Sequence, residues 1–378
     1  MNSMNQSTAI DRIRIQGFRS LADVDVKLPR VALLIGANGS GKSNFIRFFE
    51  LMRWMVSRRL EEFVARQGGA DDQLFEGSKR TSTINATVTA VFEHGRTEYE
   101  FSLSHAQPDS LVVTSELFRM AGPDSGIPLE FPAEVFNTTR TEAKLGEFEH
   151  AVKVGHRSTM GNDLASLLLG TYVFQFHDTS DTSRLKQRWD AEDCNTLRGD
   201  AANLAAILAR IEKLDSQLFD RISRQIRRVL PVFDRFQLEE TYGKVMLRWK
   251  LQGTDKTIGP HLTSDGTLRF IALVTLLNLP TEMLPQVLLI DEPELGLHPA
   301  AMEIIAHMIM QISQECQVIL ATQSPLFVDY FGLDQTIVLD IVRGRTEVHA
   351  LREKNYERWL QRYSPSDLWR KNLFGGRP

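Results

Sequence analysis

V-A-L-L-I-G-A-N-G-S-G-K-S-N-F-I-R-F-F-E-L-M, Val31 to Met52, reads as three pieces joined without a break. Val31 to Ile35 is continuously apolar, the pattern of a short strand buried on both faces. Gly36 to Ser43 is a glycine-rich loop, and from Asn44 onward the apolar residues recur at helical spacing. Strand, glycine loop and helix, in that order, form the context in which G-x-x-x-x-G-K-S cradles phosphate. Gly36, Gly39 and Gly41 let the backbone curl so that its N–H groups converge on phosphate oxygens. The dipole at the start of the following helix adds to this. Lys42 is then placed to reach the outer phosphates, and the Ser43 hydroxyl to ligate Mg²⁺. An eight-residue pattern can also arise in an ordinary glycine turn, but the flanking strand and helix argue against that here.

A second stretch, V-L-L-I-D-E-P-E-L-G-L-H-P from Val287 to Pro299, runs an apolar strand into two adjacent carboxylates, Asp291 and Glu292. Ionisable carboxylates at the end of a buried strand are costly unless something cationic meets them. Taken alone, the stretch also fits a strand ending in a solvated acidic turn. Parallel strands, however, gather their carboxyl ends on one edge of an α/β sheet, where ligands bind. On that edge Asp291 holds Mg²⁺ beside Ser43, and Glu292 orients and deprotonates an attacking water.

Around these two motifs the chain alternates strand and helix patterns. Residues 9 to 35 read as strands, Thr81 to Leu103 as a hairpin around E-H-G-R, and Leu111 to Met120 as a further strand. Residues 121 to 150 show no clear period. Met160 to Leu169 reads as a helix and Thr171 to Phe176 as a strand, followed by His177 and Asp178, which mark either a site edge or a capped turn. Residues 200 to 230 form the longest helical pattern, with Leu204, Ile207, Leu208, Ile211, Leu214 and Leu218 on one face and Pro231 as its stop. Arg221, Arg224, Arg227 and Arg228 fall largely on another face, either a nucleic-acid contact or a solvated stripe. Strands are expected at Phe236 to Glu240 and Val245 to Leu251.

Ser264 in H-L-T-S-D-G-T-L-R-F is a good N-cap for the next helix, and the same geometry makes an anion site of N–H groups. Gln317 to Pro325 reads as another buried strand ending in polar residues. Thr336 to Leu339 and Glu347 to Leu351 suggest a final hairpin. The tail is basic with interleaved aromatics, suited either to nucleic acid or to packing as a terminal helix.

The 378 residues, 42% hydrophobic and 24% charged, are those of an ordinary soluble globular protein with room for one large or two smaller domains. A net charge of -4 argues against bulk polyanion binding and leaves room for a local basic patch. Cys194 and Cys316 lie far apart in no metal-binding spacing, which fits a reducing compartment. The N-terminus shows no apolar core behind a positive start, and no apolar run reaches membrane-spanning length. A cytoplasmic protein without membrane contact is expected.

In order and spacing, G-A-N-G-S-G-K-S, S-D-G-T-L-R, L-L-I-D-E-P-E-L-G-L-H-P and A-T-Q-S-P resemble the motifs of ABC-type ATPases of the RecF/SMC class. The resemblance is closest to compact AAA-family ATPases related to the ATPase half of OLD proteins, and it covers nearly the whole chain. It implies an α/β fold: an ABC-type P-loop NTPase with a mixed sheet core, an N-terminal antiparallel β layer and an inserted helical lobe. Residues 1–179 and 285–378 would form the core lobe, and 180–284 the helical lobe carrying the signature.

Position by position, the resemblance implies that Gly36, Ala37, Asn38, Gly39, Ser40, Gly41, Lys42, Ser43 and Asn44 bind ATP. Asp291, with Ser43, holds Mg²⁺, and Glu292 is the catalytic base. Ser264, Asp265 and Gly266 form the signature that meets ATP bound to another copy, and Glu294 to His298 the D-loop facing that copy. Gln323 stands at the switch position, Arg19 near the nucleotide, and Gln175 at the metal as the Q-loop residue. The signature is S-D-G-T rather than the transporter-like S-G-G-Q, and the switch carries Gln323 where many relatives have histidine. Glutamine cannot shuttle a proton, so it only orients water or senses the γ-phosphate.

The implied function is an ATP-binding, slowly hydrolysing switch that forms an ATP-linked homodimer or higher homo-oligomer. Its expected partners are a separately encoded nuclease or toxin, or DNA, in phage defence or DNA repair. The alternative is a nucleotide-binding assembly module without turnover.

Overall fold

The computed structural model describes residues 8–121, 129–131, 143, 145 and 157–377. Most of the stretch without periodicity, and the residues on which the reading of the N-terminus rests, lie outside these. The chain opens with Ala9–Phe18 (β1), Leu21–Lys27 (β2), Val31–Ile35 (β3), Lys42–Val56 (α1) and Leu60–Arg66 (α2). Thr83–Phe92 (β4), Gly95–Ala106 (β5), Ser110–Ala121 (β6) and Leu129–Phe131 (β7) follow. Arg157–Leu169 (α3) leads into Thr171–Phe174 (β8) and Trp189–Asp190 (β9). Next come Leu204–Leu214 (α4), Ser216–Val229 (α5), Phe233–Phe236 (β10), Lys244–Val245 (β11), Trp249–Leu251 (β12) and Thr257–Ile258 (β13). Asp265–Leu276 (α6), Val287–Asp291 (β14), Pro299–Ile312 (α7), Gln317–Thr322 (β15) and Pro325–Val328 (α8) precede the hairpin Thr336–Val342 (β16) and Arg345–Ala350 (β17). Two short helices, Glu357–Leu360 (α9) and Pro365–Arg370 (α10), come last.

Two six-stranded sheets organise these elements. The mixed sheet has the order β17-β16-β3-β15-β14-β8, with β16, β3, β15, β14 and β8 parallel and β17 antiparallel at one edge. Every residue of β3, β14 and β15 is buried, as their unbroken apolar runs require. Alternate residues of these strands feed two cores. Leu33, Ile35, Leu288, Ile290, Val318 and Leu320 join the cluster containing α4 to α7, whereas Ala32, Leu34, Leu289, Ile319 and Ala321 face α1 and the other sheet.

The second sheet, β2-β1-β4-β5-β6-β7, is antiparallel throughout and forms the expected N-terminal β layer. Phe48 of α1 stacks on its Phe101, ring centroids 6.2 Å apart, and meets Phe18 edge-on at 5.2 Å. Each such fully buried aromatic contributes roughly 1.5–3 kcal/mol. α1 is thereby wedged between the two sheets, and its first turn is fixed at the end of β3.

The helical pattern of residues 200–230 is two helices, not one. Asp215 leaves helical geometry (φ -145°, ψ 85°) and its side chain accepts from Leu218 N, capping α5. Periodicity runs almost in phase across the break, so spacing alone does not reveal it. Leu214, placed on the apolar face by that spacing, is 74% exposed at the end of α4. The strands that follow also differ from expectation. Pairing of Phe233 with Leu251 and Phe236 with Trp249 moves the first strand back to β10, and a register shift after Phe233 breaks its alternation. The run Val245 to Leu251 divides because β11 pairs with β9 and β12 with β10 and β13.

The tail packs rather than projecting. Trp369 is fully buried, its Nε1 donates to Gly376 O at 2.7 Å, and Gly376 N donates to Asp340 Oδ2 at 3.2 Å. Among the described residues, no helix is long and apolar enough to cross a membrane.

Candidate nucleotide site

β3, β15 and β14 are neighbours in the mixed sheet and run parallel, so Gly36, Gln323 and Glu292 emerge on the same edge. The glycine loop takes shape through positive backbone angles at Gly36 (φ 156°), Gly39 (φ 78°) and Gly41 (φ 101°). At Gly41 a Cβ would fall 2.1 Å from Thr346 Oγ1, and at Gly36 it would fall 2.3 Å from Leu339 O, so neither position admits a side chain. Gly41 is the N-cap of α1 and supplies no side-chain cap, which leaves the first N–H groups of the helix to another acceptor.

Lys42 is 4% exposed, and its Nζ donates to Gly36 O at 2.7 Å and Ala37 O at 2.9 Å. Burial lowers its pKa, while Asp291, Glu292 and Glu294 oppose that shift. Ser43 is exposed at the start of α1, as is Asn38 in the loop. Behind the loop, Asn44 Nδ2 donates to Ser20 Oγ at 2.8 Å, Ser20 Oγ lies 2.8 Å from Thr346 Oγ1, and Thr346 Oγ1 donates to Ser40 O at 3.1 Å. The turn after β1 and the edge strand β17 therefore brace the glycine loop.

Arg19 sits in that turn with φ 47°. Its guanidinium donates to Gln73 Oε1 at 2.9 Å and to Gln67 Oε1 at 3.3 Å, and burial lowers its pKa, helped by nearby Arg47. Its sequence neighbour Ser20 touches the glycine-loop network, while the guanidinium itself is held by the two glutamines.

The acidic half is built at the end of β14. Asp291 is buried and accepts from Gln175 Nε2 at 3.1 Å. Burial raises its pKa, and His177, Lys42 and Gln175 oppose the rise. His177 Nε2 lies 3.1 Å from Asp291 O and 3.8 Å from Glu292 Oε2. The polar pair after β8 thus serves both readings: His177 edges the site, while Asp178 accepts from Ser180 Oγ at 2.7 Å in a local turn.

Glu292 takes a left-handed conformation (φ 49°), unusual for a non-glycine residue, and its N–H donates to Ala321 O at 2.8 Å. Such a backbone costs on the order of 1–3 kcal/mol and concentrates at functional sites. Gln323 Nε2 donates to Glu292 Oε1. Glu292 and Gln323, expected as base and switch, therefore meet directly.

Ser264, Asp265 and Gly266 lie at the start of α6, and among the described residues no hydrogen bond or ion pair joins them to Gly36–Ser43. Ser264 is the N-cap and accepts from Thr267 N at 3.3 Å. Asp265 lies 3.6 Å from the buried Lys186 Nζ. Gly266 abuts the loop after β14, where a Cβ on it would be 2.3 Å from Gly296 O. Arg269 of α6 donates to Phe176 O and His177 O, each at 2.9 Å, which ties this helix to the segment carrying His177.

Three residues in this arrangement were given no role in the expected site: His177, Arg269 and Thr322, whose hydroxyl donates to Glu294 Oε1. Only His177 carried a sequence signal, as a polar residue directly after an apolar strand.

The residues present fit a nucleotide and its metal. Among the described residues the Lys42 ammonium hydrogen-bonds only to loop carbonyls and the Ser40 hydroxyl, three carboxylates lie within its field, and the helix start beside it has no side-chain cap. A hydroxyl at Ser43 and a buried carboxylate at Asp291 are the hard oxygen donors that Mg²⁺ prefers.

A family model described as "AAA domain, putative AbiEii toxin, Type IV TA system" matches residues 31–329. The crystal structure of an Smc head bound to the C-winged helix domain of ScpA is similar, with 18% identity and a TM-score of 0.54 over 92% of this chain and 99% of that one. A second, an Smc head domain with an extended coiled coil bound to the C-terminal domain of ScpA derived from Pyrococcus furiosus, is 17% identical with a TM-score of 0.52, covering 94% of this chain and 99% of that one. These likenesses are of fold, and they bear out the ABC-type α/β architecture and the RecF/SMC resemblance. Urease accessory protein 2 of Cryptococcus neoformans var. grubii is 35% identical over 88 residues, a segment that is 22% of this chain and 7% of that protein.

Proposed function

The chain belongs to the AAA-domain family of that description, and from this premise we propose that it is an ATP-binding, slowly hydrolysing switch that closes as a dimer around ATP. The observation that carries the reading is the convergence of Lys42, Asp291, Glu292 and Gln323 at the ends of three adjacent parallel strands. Residues 1–179 and 285–378 act as the core lobe, and 180–284 as the lobe presenting the signature.

Phosphates of ATP take the backbone N–H groups of the glycine loop and the uncapped start of α1 as donors. Lys42 exchanges the carbonyls of Gly36 and Ala37 for phosphate oxygens, trading neutral acceptors for charged ones. Mg²⁺, held by Ser43 and Asp291 with Gln175 beside them, neutralises phosphate charge when bound. Glu292 takes the proton from the attacking water, with Gln323 fixing its carboxylate. His177 adds a polar contact on the opposite oxygen of Glu292. Ser264, Asp265 and Gly266 complete the site of a second copy, so that ATP binding and self-association are linked.

The switch acts on a separately encoded nuclease or toxin, or on DNA, in defence against phage or in genome maintenance in the cytoplasm. Exposed Arg221, Arg224, Arg227 and Arg228 on α5 form a cationic stripe suited to a nucleic-acid backbone.

Glu292→Gln tests the core of this reading. It is expected to lower turnover about 100-fold or more, as loss of a general base does. ATP binding persists and the ATP-bound dimer accumulates, measurable by light scattering with Mg-ATP. Wild-type turnover in this variant removes Glu292 from the role of base. No turnover by the wild-type chain, with or without DNA and its genomic neighbour's product, favours an assembly module instead.

A further inference from the structure

Glu294 is a buried carboxyl to which no step above assigns work. It follows Pro293 in the loop after β14 and is 6% exposed. Its Oε1 accepts from the Thr322 hydroxyl at 2.5 Å and from Gln323 N at 3.4 Å. The Thr322 hydroxyl in turn accepts from Ser324 N at 3.0 Å. One carboxyl oxygen thus gathers the end of β15, residues 322 to 324, onto the loop that carries Glu292.

Gln323 is the next link. Its backbone N–H points to Glu294, and its side-chain amide donates to Glu292 Oε1. The backbone and side chain of one residue therefore connect two carboxylates of the same loop. Shifting Gln323 changes the geometry of Glu292 directly.

The other oxygen of Glu294, Oε2, is buried without a hydrogen-bond partner among the described residues. Leaving a buried polar atom unsatisfied costs free energy that a purely structural tie could avoid with a neutral, smaller residue. Burial also pushes the carboxyl up to about 7.

We infer that Glu294 is a positioning residue for hydrolysis: by holding Thr322 and the Gln323 backbone, it fixes the Gln323 amide against Glu292. It touches neither water nor phosphate itself. The inference rests on Glu292 being the base and Gln323 the residue that orients it.

The test uses the full chain with Mg-ATP and measures kcat, KM and nucleotide affinity for wild type, E294A, E294Q, T322V and Q323A. E294A is expected to lower kcat on the order of 10-fold with KM within about two-fold, because displacing an aligned group by an ångström or less is enough for such a loss. E294Q keeps an acceptor oxygen for Thr322 and the Gln323 N–H and restores kcat to within about three-fold of wild type. T322V, which removes the hydroxyl donor at constant shape, reproduces a loss in kcat and carries the test if E294A does not fold. Adding E294A to Q323A produces no further loss, since the two act through one amide.

E294A and T322V at wild-type kcat overturn the inference, as do additive losses in the E294A/Q323A double variant. Absence of turnover in the wild-type chain overturns the underlying reading and this inference together. Normal wild-type turnover with unaffected variants overturns this inference alone.

Discussion

α1 and α6 both begin with a serine or glycine ahead of a turn that looks built for an anion, yet their first turns are opposite electrostatically. At α1 the N-cap is Gly41, which offers no side-chain oxygen, and the first residue is the cation Lys42. At α6 the N-cap Ser264 satisfies Thr267 N from its own side chain, and the first residue is the anion Asp265. A cation at a helix N-terminus opposes the macrodipole, and an anion there favours it. α6 is therefore complete within the chain, while α1 becomes complete only when an anion arrives. The difference fits a half-site that binds ATP beside a half-site that only reads ATP held by another copy.

The largest effect expected from breaking this contrast is at Lys42. Lys42→Ala should cost about 2–5 kcal/mol of ATP affinity, the usual result of truncating one partner of a close charge pair. By the same contrast, the nucleotide-free chain should lose no stability. Lys42 is a buried cation whose pKa burial depresses, and among the described residues the hydrogen bonds it makes run only to the loop carbonyls and the Ser40 hydroxyl. Titration calorimetry and thermal melts separate the two quantities. A variant that loses ATP affinity and nucleotide-free stability in equal measure would mean that Lys42 is a structural tie, and the contrast would collapse.

A smaller effect is expected where α6 meets the loop after β14. Gly266→Ala places a methyl group 2.3 Å from Gly296 O, and backbone must move to admit it. Overpacking of this kind costs about 1–3 kcal/mol. The affected loop spans Glu294 to His298, and among the described residues no hydrogen bond or ion pair joins it to Gly36–Ser43. Stability should therefore fall, along with any ATP-dependent self-association, while ATP affinity of the monomer stays unchanged. Loss of monomer affinity would show that the two helix starts are coupled inside one chain.

Much of this contrast was legible in the sequence, for a physical reason. A glycine loop between a buried strand and a helix is a local pattern, as is a carboxylate pair at a strand end, and each lies within one continuous stretch, Val31 to Met52 and Val287 to Pro299. What stayed hidden depends on partners distant in sequence. Arg19 is expected near the nucleotide, and nothing in the sequence signals that the acceptors of its guanidinium, Gln67 and Gln73, come from the segment around α2. Glu294 was expected to face a second copy with the rest of its loop, yet it turns inward because Thr322 and Gln323 offer it donors from the neighbouring strand. Asp215 is a local exception: it interrupts a run whose apolar period hardly changes phase, and its non-helical backbone angles and its capping bond to Leu218 N mark the break.

Ser264→Ala is the gentlest of these perturbations and the most discriminating. Removing an N-cap hydroxyl costs roughly 1 kcal/mol, so the nucleotide-free chain should melt a few degrees lower. The same change at the start of α1 has no counterpart, since Gly41 has no side chain to lose. If α6 served only its own fold, that loss would be the whole effect, and restoring stability elsewhere would restore every property. If the Ser264 hydroxyl also leaves Thr267 N to meet ATP held by a second copy, self-association with ATP weakens by more than the lost cap explains, while affinity of the isolated chain for ATP does not change. Sedimentation at fixed ATP, compared with the melting shift, measures that excess. An excess of zero confines Ser264 to capping and leaves α1 as the sole half-site with a ligand.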